Sequence, residues 1–317
     1  MVKSAYTYQV FSRLKSTFWV LQNQLTRYTS SHNSAYAIVT PKKVSSQRSV
    51  PSHIQKPPYV STTPGKDACP PHIEIHSPEQ ISKIKEACIL ARKILNLTAK
   101  ELKVGITTDN IDEIVHQLCI DNNVYPSPLG YLGYPKSVCT SINNVACHGI
   151  PDSRPLQDSD IINIDVTVYA NGYHGDVSET YLIGNVDDRG QKLVDTTRQC
   201  LMESIVLCRP GARFGEIGKR ISDIASAAGF CVIPDFCGHG IGTYFHGLPD
   251  IFHIDLGDNA QMEKGMVFTI EPVICDGKPD IKILPDGWTA LTKDNSRSAQ
   301  FEHCIAIIEN GAEILTL

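Results

Sequence analysis

Two aspartates on a predicted β-hairpin are the first residues of this chain whose spacing could support chemistry. Asp165 and Asp176 lie in alternating runs on either side of Asn171-Gly172, a dipeptide that strongly favours a two-residue hairpin turn. With that turn, Thr167 pairs with Asp176, and Asp165 lies diagonally across the same face, roughly 7–8 Å away at the backbone. The pairing alone fits two interpretations, an ordinary half-solvated hairpin or two carboxylates that converge on a cation.

Three further residues with metal-ligand chemistry lie in surroundings that are unusual for polar side chains. Glu271 and Glu302 each interrupt an apolar, strand-like run. A buried carboxylate is costly unless it is paired, neutralised or bound to a metal. His239 is flanked by glycines, which let the backbone and a ligand approach closely. Each residue alone also has a structural explanation, a salt-bridged strand glutamate or an ordinary loop histidine.

Taken together, four carboxylates and one imidazole form an oxygen-rich ligand set. Such a set suits divalent Mn, Fe, Co or Zn, and availability rather than the ligands decides among them. Four carboxylates are too many for one catalytic ion, whereas carboxylates that bridge two ions would be neutralised. Two ions roughly 3.5–4 Å apart can activate one water and stabilise a tetrahedral intermediate. The residue types therefore favour a two-metal hydrolytic site.

Two helical pairs, each followed by β-rich sequence, must position these residues. Ser77-Pro78-Glu79-Gln80 predicts a capped helix start, Gly105 predicts its end, and a second helix starts at Thr108 or Asp109. The same pattern recurs about 106 residues later around Pro210-Gly211. We interpret this as a weak internal repeat of two α-plus-β halves, although two unrelated helical hairpins would look alike. Strands are predicted at 138–142, 145–148, 231–235, 266–275, 281–284, 288–291 and 300–308.

Composition narrows the class of protein. The 317 residues allow one large domain or two. No apolar run is long enough to span a bilayer. Beyond residue 66 the chain carries 20 basic and 34 acidic residues, which argues against nucleic acid as the main partner. The eleven cysteines are an odd number without a CxxC pair, which predicts reduced thiols in a reducing compartment.

Residues 1–66 have the composition of a targeting leader. They contain nine Lys and Arg and no acidic residue, and apolar residues between Val10 and Leu25 fall at helical spacing. This pattern predicts a mitochondrial transit peptide. Arg27-Tyr28-Thr29-Ser30 is a candidate processing region, although the sequence does not determine the cleavage site. The alternative is a disordered basic arm that binds nucleic acid or a membrane surface. The prolines between Val39 and Gly65 predict an unstructured linker, with the folded body at 73–317.

The ordered motifs of this chain resemble those of the type 1 methionine aminopeptidases. The resemblance covers about 77–315, and the leader and the loop from Tyr125 to Tyr131 most resemble the mitochondrial branch. It implies an α/β (α+β) pita-bread fold, with pseudo-twofold halves around a curved antiparallel sheet. The matching segments are 163–167, 174–176, 238–242, 269–272 and 300–303, together with 133–137 and 147–152.

The resemblance also implies roles for the ligand residues. Asp165 would chelate one of two divalent ions, and Asp176 and Glu302 would bridge both. His239 and Glu271 would hold the second ion. A hydroxide between the ions would attack the carbonyl of an N-terminal methionine, preferably when a small residue follows. Glu271 would carry a proton to the leaving amine.

Substrate contacts follow from the same resemblance. His148 and His246 would hydrogen-bond the substrate and the intermediate. A pocket for the methionine side chain would be lined by Tyr131, Tyr134, Cys139, Phe245 and Trp288, and a flexible thioether packs well on aromatic rings. A monovalent cation would lie near Asn143, Val145 and Ser298. The expected partners are the N-termini of peptides and nascent proteins, and no nucleic acid is expected to bind. The enzyme is expected to be a monomer in the mitochondrial matrix, without a membrane span.

Two departures and two alternatives accompany this interpretation. Pro128 stands where bacterial relatives usually carry Cys, and Gly247 where they carry Glu, so the pocket wall and the substrate entrance could differ. The Cys/His-rich N-terminal zinc segment of cytosolic eukaryotic relatives is missing.

A prolidase or aminopeptidase P would share the fold, but those enzymes usually carry a large additional N-terminal domain. Residues 1–72 are too short and too polar to supply it. A pita-bread binding protein that has lost catalysis would lack part of the ligand set.

Overall fold

The computed structural model describes residues 36–61 and 69–317. The predicted amphipathic leader helix and its processing region therefore lie outside the described residues. The helices are α1 (Pro58–Ser61), α2 (Pro78–Ala99), α3 (Thr108–Asp121), α4 (Asp188–Ile205) and α5 (Gly215–Ala228), with a short 3-10 turn at Tyr131–Gly133.

Fifteen strands occur in the described part of the chain, nine of them in one sheet. They are β1 (Tyr125–Pro126), β2 (Cys139–Ile142), β3 (Val145–Cys147), β4 (Ile161–Ala170), β5 (Tyr173–Leu182), β6 (Cys231–Val232), β7 (Cys237–Gly240), β8 (Gly247–Phe252), β9 (Val267–Ile270), β10 (Val273–Cys275), β11 (Ile281–Ile283), β12 (Ala290–Thr292), β13 (Ser298–Gln300), β14 (Glu302–Ile308) and β15 (Gly311–Ile314). The large sheet has the order β1-β4-β5-β14-β9-β7-β8, with β2 beside β4 and β15 beside β14. Two three-stranded sheets, β13-β10-β6 and β11-β12-β3, complete the body.

The central hairpin has the predicted register. Ala170 pairs with Tyr173, and Thr167 pairs with Asp176. Asn171 and Gly172 have φ values of 52° and 89°, the left-handed conformations that a type I′ turn requires. The observed register confirms the predicted pairing. The pairing is well determined because the turn residues and the period-two pattern both favour it.

The two helical pairs each cover their own hydrophobic core. Ser77 caps α2 through the predicted box with Gln80, and Thr107 caps α3 in the same way. The apolar faces of α2 and α3 join β2 and β4 in one cluster, whereas those of α4 and α5 pack with β9 and β14 in another. This division agrees with the predicted pair of α-plus-β halves. No helix of the described ranges is both long and apolar enough to cross a membrane.

Two predicted long strands are each broken in the structure. The run 266–275 divides into β9 and β10 at Glu271-Pro272, because a proline has no N–H to continue the ladder. The run 300–308 divides at Phe301, so that β13 and β14 belong to different sheets. Sequence periodicity could not show these breaks, since the apolar pattern continues through both. The other predicted strands agree with the structure to within a few residues, whereas β1, β7, β8 and β15 were not predicted.

The prediction of an unstructured linker is wrong for residues 39–61. We call the described residues 36–61 the N-terminal strap, because they lie across the body with little regular structure. Val39, Ile54 and Tyr59 are buried, the last with 4% of its surface exposed. The strap has no periodicity of its own, and its order comes from sites on the body that hold it.

Candidate active site

Three carboxylates project from one face of three adjacent strands. Ser178 of β5 pairs with Asp165 of β4 on one side and with Glu302 of β14 on the other. Asp176 lies two residues from Ser178 and therefore on the same face. Asp176 and Glu302 are 4% and 2% exposed. The hairpin thus brings its two aspartates together with a glutamate that is 126 residues beyond Asp176 in the chain.

Glu271 and His239 complete the ligand set from the next two strands. Glu271 follows β9 where the chain leaves the large sheet, and His239 lies in β7. Because β4, β5, β14, β9 and β7 are consecutive in the sheet, each of five neighbouring strands supplies one residue of the set. The Thr269 hydroxyl donates to Glu271 Oε1 at 2.8 Å and accepts from the His239 N–H at 3.0 Å, which ties the last two ligands together.

The orientation of the His239 ring suits metal binding. Its Nδ1 lies 3.1 Å from the Gly240 carbonyl oxygen and so carries the proton. The lone pair of Nε2 then faces the carboxylates, 3.6 Å from Glu271 Oε1 and 3.8 Å from Asp176 Oδ2. A backbone carbonyl that holds the second ring nitrogen of a histidine is a common feature of metal sites.

Burial disfavours the ionised form of these carboxyl groups unless a cation is present. It raises the pKa of Asp176 to about 7 and, with the nearby Asp176 charge, that of Glu271 to about 8. It also raises the pKa of Asp165 and of Glu302 well above the usual range, and neighbouring carboxylates add to both shifts. A divalent cation would replace the protons that these groups otherwise retain.

The residues present fit a metal. Ligand atoms of Asp176, His239 and Glu302 all lie within 4.8 Å of one another. Asp165 Oδ1 is buried and has no hydrogen-bond partner among the described residues, as expected of an oxygen reserved for a cation. All five predicted ligands line the same cavity.

The predicted substrate residues line that cavity too. Its apolar side is formed by two pairs of rings, Tyr131 with Phe245 at 4.9 Å between centroids and Tyr134 with Trp288 at 5.1 Å. The cavity is lined by Pro128, Tyr131, Tyr134, Cys139, His148, Thr167, Phe245, His246 and Trp288 beside the five ligands. Pro128 lies in the wall, whereas Gly247 is not among the lining residues and packs against Tyr244, where a Cβ would lie 2.3 Å from the ring.

The two pocket histidines are neutral at physiological pH. Burial lowers the pKa of His148 to about 4 and that of His246 well below its usual value. His148 has a φ of 54°, so its backbone adopts the left-handed conformation that is uncommon outside glycine. The ring centroids of His246 and His239 are 4.3 Å apart, so His246 lies beside the ligand set.

Sequence reasoning missed residues that hold the site from behind. His253 Nε2 accepts the Glu271 N–H at 3.1 Å and so fixes the backbone of that ligand. His174 of β5 hydrogen-bonds Ser127 at 2.8 Å and stacks on Phe245. Neither histidine has a spacing signal, because both contacts cross from one element to another.

At the predicted monovalent-cation site, the Ser298 hydroxyl lies 3.2 Å and 3.3 Å from the carbonyl oxygens of Asn143 and Val145, and cation binding there stays a prediction.

The chain belongs to metallopeptidase family M24, whose model matches residues 82–309. It is 57% identical over 282 residues to the human protein "Methionine aminopeptidase 1D, mitochondrial", covering 89% of this chain and 84% of that protein. Identity to the mouse protein of the same name is 55% over the same length. The crystal structure of methionine aminopeptidase from Rickettsia prowazekii superposes with a TM-score of 0.76 at 41% identity, covering 78% of this chain and 100% of that one.

These comparisons confirm the resemblance to methionine aminopeptidases, the metallopeptidase class and the pita-bread fold. Membership of a metallopeptidase family also implies that the chain binds divalent metal, in agreement with the ligand set. A prolidase from Pyrococcus furiosus shares the fold at 22% identity and a TM-score of 0.59, and this chain spans 65% of its length. That likeness extends to the fold alone.

Proposed function

We propose that this chain removes the N-terminal methionine from peptides and newly made proteins. The observation that carries the proposal is one cavity lined both by five metal-ligand side chains and by aromatic rings, on which a thioether packs well. Relatives named methionine aminopeptidases match over most of their length, which supports the same specificity here. A preference for a small second residue follows from the resemblance and is part of the proposal.

The five ligands divide between two metal positions in this proposal. Asp165 would hold one ion, and His239 and Glu271 would hold the other. Asp176, two residues before Ser178 on β5, and Glu302, which pairs with Ser178, would serve both ions. Divalent ions bound there would polarise the scissile carbonyl and lower the pKa of a water, so that hydroxide is available near neutral pH.

Residues of the chain perform the remaining steps. Glu271 would accept the proton of the attacking water and deliver it to the departing amine, the role of a general base that then acts as a general acid. His148 and His246, neutral at working pH, hydrogen-bond the substrate amide and the developing oxyanion. The rings of Tyr131 and Trp288 exclude water from the methionine side chain.

We further propose that the enzyme works in mitochondria. The acid-free basic leader supports import, and the human, zebrafish and mouse relatives carry "mitochondrial" in their names. The matrix location and the monomeric state stay predictions.

The deciding experiment measures turnover of Met-Ala-Ser and metal content on the same sample. We expect release of methionine that depends on Mn²⁺, Co²⁺, Fe²⁺ or Zn²⁺, with little cleavage of an Xaa-Pro peptide. Preferential cleavage of Xaa-Pro would establish the prolidase alternative. Failure to cleave any peptide with any of these metals would establish a binding protein without catalysis.

A further inference from the structure

The N-terminal strap is attached to the body at several points, and three of these attachments form a series that ends at the active site. Its first attachment is a pair of hydrogen bonds that imitate a strand pairing. The Val39 N–H donates to Asn144 Oδ1 at 2.7 Å, and Asn144 Nδ2 donates to the Val39 carbonyl at 3.2 Å. Asn143 Nδ2 donates to the Ala37 carbonyl at 2.9 Å. The start of the strap is therefore held by the tight turn between β2 and β3.

The second attachment is an ionic cluster beneath the strap. Lys136, 1% exposed, lies 2.5 Å from Asp109 and 3.5 Å from Asp112. Arg48 of the strap lies 2.9 Å from Asp112, and Ser45 donates to Asp109 at 2.6 Å. Without Arg48, two aspartates would face one lysine, so the strap supplies the charge that balances a buried group.

This cluster adjoins the substrate pocket. Lys136 comes two residues after Tyr134, a pocket residue. The Ser137 N–H donates to Asp112 at 2.7 Å, which fixes the backbone after that tyrosine. The middle of the strap thus helps to hold one side of the pocket loop.

The third attachment is Tyr59 in α1, which contacts the back of the pocket wall. Its hydroxyl donates to the Ser127 carbonyl at 2.6 Å. Its ring meets the Tyr131 ring edge-on, with centroids 5.0 Å apart. It also stacks on His174 at 6.1 Å and 17°. Edge-to-face and offset-stacked pairs at these separations are favourable beyond the apolar area that they bury.

From Tyr59 a column of rings runs into the catalytic cavity. His174 stacks on Phe245 at 5.3 Å and 9°, and Phe245 stacks on His246 at 4.0 Å and 26°. Tyr131 contacts both Phe245 and His246, at 4.9 Å and 5.0 Å. Tyr59 does not line the cavity, so it acts on the substrate indirectly, through these rings and through its hydrogen bond to Ser127, which precedes the cavity residue Pro128.

We infer that Tyr59 is a positioning residue for the substrate pocket, and that the strap is a working part of the enzyme rather than a remnant of the leader. The inference rests on the proposed function. Removing the Tyr59 ring takes one ring contact from Tyr131 and one from His174, which keeps Tyr169 as a neighbour. We expect both rings to gain freedom and the methionine pocket to loosen. A misplacement of about 1 Å in positioning groups can cost roughly 100-fold in rate.

The test uses the full chain loaded with metal and compares Tyr59→Ala, Tyr59→Phe and Tyr59→Leu with Val44→Ala. Val44 lies on the same strap and is 39% exposed, so its variant is the matched control. We expect Tyr59→Ala to lower kcat/KM for Met-Ala-Ser roughly 10- to 100-fold. Its preference for Met-Ala-Ser over Leu-Ala-Ser should narrow, with metal content unchanged. Tyr59→Phe, which keeps the ring, should stay within about threefold of wild type, well inside that range.

Wild-type kinetics and wild-type selectivity in Tyr59→Ala would overturn the inference. If that variant does not fold, Tyr59→Leu decides, because leucine fills much of the volume without a ring; unchanged selectivity there would also overturn it. A readout independent of turnover is hydrogen exchange in residues 127–134. We expect faster exchange in Tyr59→Ala than in Val44→Ala, and equal exchange would contradict the positioning role even if the proposed function failed in the peptide assay.

The inference also constrains processing of the leader. Removal of the leader must leave the strap intact, so cleavage has to fall at or before residue 36. We expect N-terminal sequencing of the mature protein from mitochondria to give a start in that range. A mature chain that starts after Tyr59 would overturn the role of the strap.

Discussion

The stability of the metal-free protein should fall as pH rises above 6.5, because a buried carboxyl then has to lose its proton. Glu271 provides the clearest case, since burial raises its pKa from 4.5 to about 8 and its side chain is only 13% exposed. In the unfolded chain this carboxyl is ionised throughout that range. The folded state therefore binds more protons than the unfolded state, and stability declines with pH until the folded pKa is passed.

The size of the effect follows from the shift. Between pH 6.5 and 8 the folded Glu271 retains most of a proton that the unfolded chain has released, which lowers the free energy of unfolding by about 2 kcal/mol. For a folded body of this size, that corresponds to a decrease in Tm of roughly 4–8 °C. Buried histidines such as His148 and His239, whose pKa burial lowers, add stability only up to about pH 6.5, the unfolded value. Above that pH their contribution to the slope decreases to zero within about one pH unit and has the opposite sign to that of Glu271.

The assay is thermal unfolding of chelator-treated protein at pH 6.5 and 8, for wild type and Glu271→Gln. Subtracting the variant removes the contributions of titrating groups that do not interact with Glu271. We expect wild type to lose about 2 kcal/mol more than Glu271→Gln when both are metal-free, and to lose this excess when Mn²⁺ is added, because a ligated carboxylate is already ionised. Parallel curves for the two metal-free proteins would refute the reasoning.

Three further predictions concern the ligand set, the packing of the hairpin and the leader. Asp176→Ala should lose metal and lower kcat/KM by more than roughly 100-fold while keeping the fold, since even outer partners of metal ligands contribute 10- to 100-fold; full activity with bound metal would contradict the bridging role. Gly175→Ala should lower the free energy of unfolding by about 1–3 kcal/mol in urea titrations, because its Cβ would lie 2.3 Å from Cys88 N and 2.4 Å from Ala87 C; an unchanged midpoint would show that α2 yields easily. A reporter fused to residues 1–66 should enter mitochondria, and a diffuse cytosolic signal would contradict the proposed location.

Several features of this protein can be predicted from the sequence because they depend on residues close together in the chain. The Asn171-Gly172 turn and the period-two pattern determine the hairpin register, so the relation between Asp165 and Asp176 needs no long-range information. The capping box at Ser77 depends on residues only three apart. The chemistry of the ligands is likewise a property of residue type. For these features, sequence neighbours and spatial neighbours coincide.

The tertiary structure decided where the distant ligands meet and what holds them. Glu271 and Glu302 converge on the hairpin because two apolar runs break and switch sheets, one at Pro272 and one at Phe301. The strap was misjudged for a related reason. Its residues satisfy no helical or strand period, and Tyr59 is ordered by partners such as Ser127, 68 positions away. A segment whose stability comes entirely from such contacts carries no local signal, because the free energy that orders it belongs to the folded body.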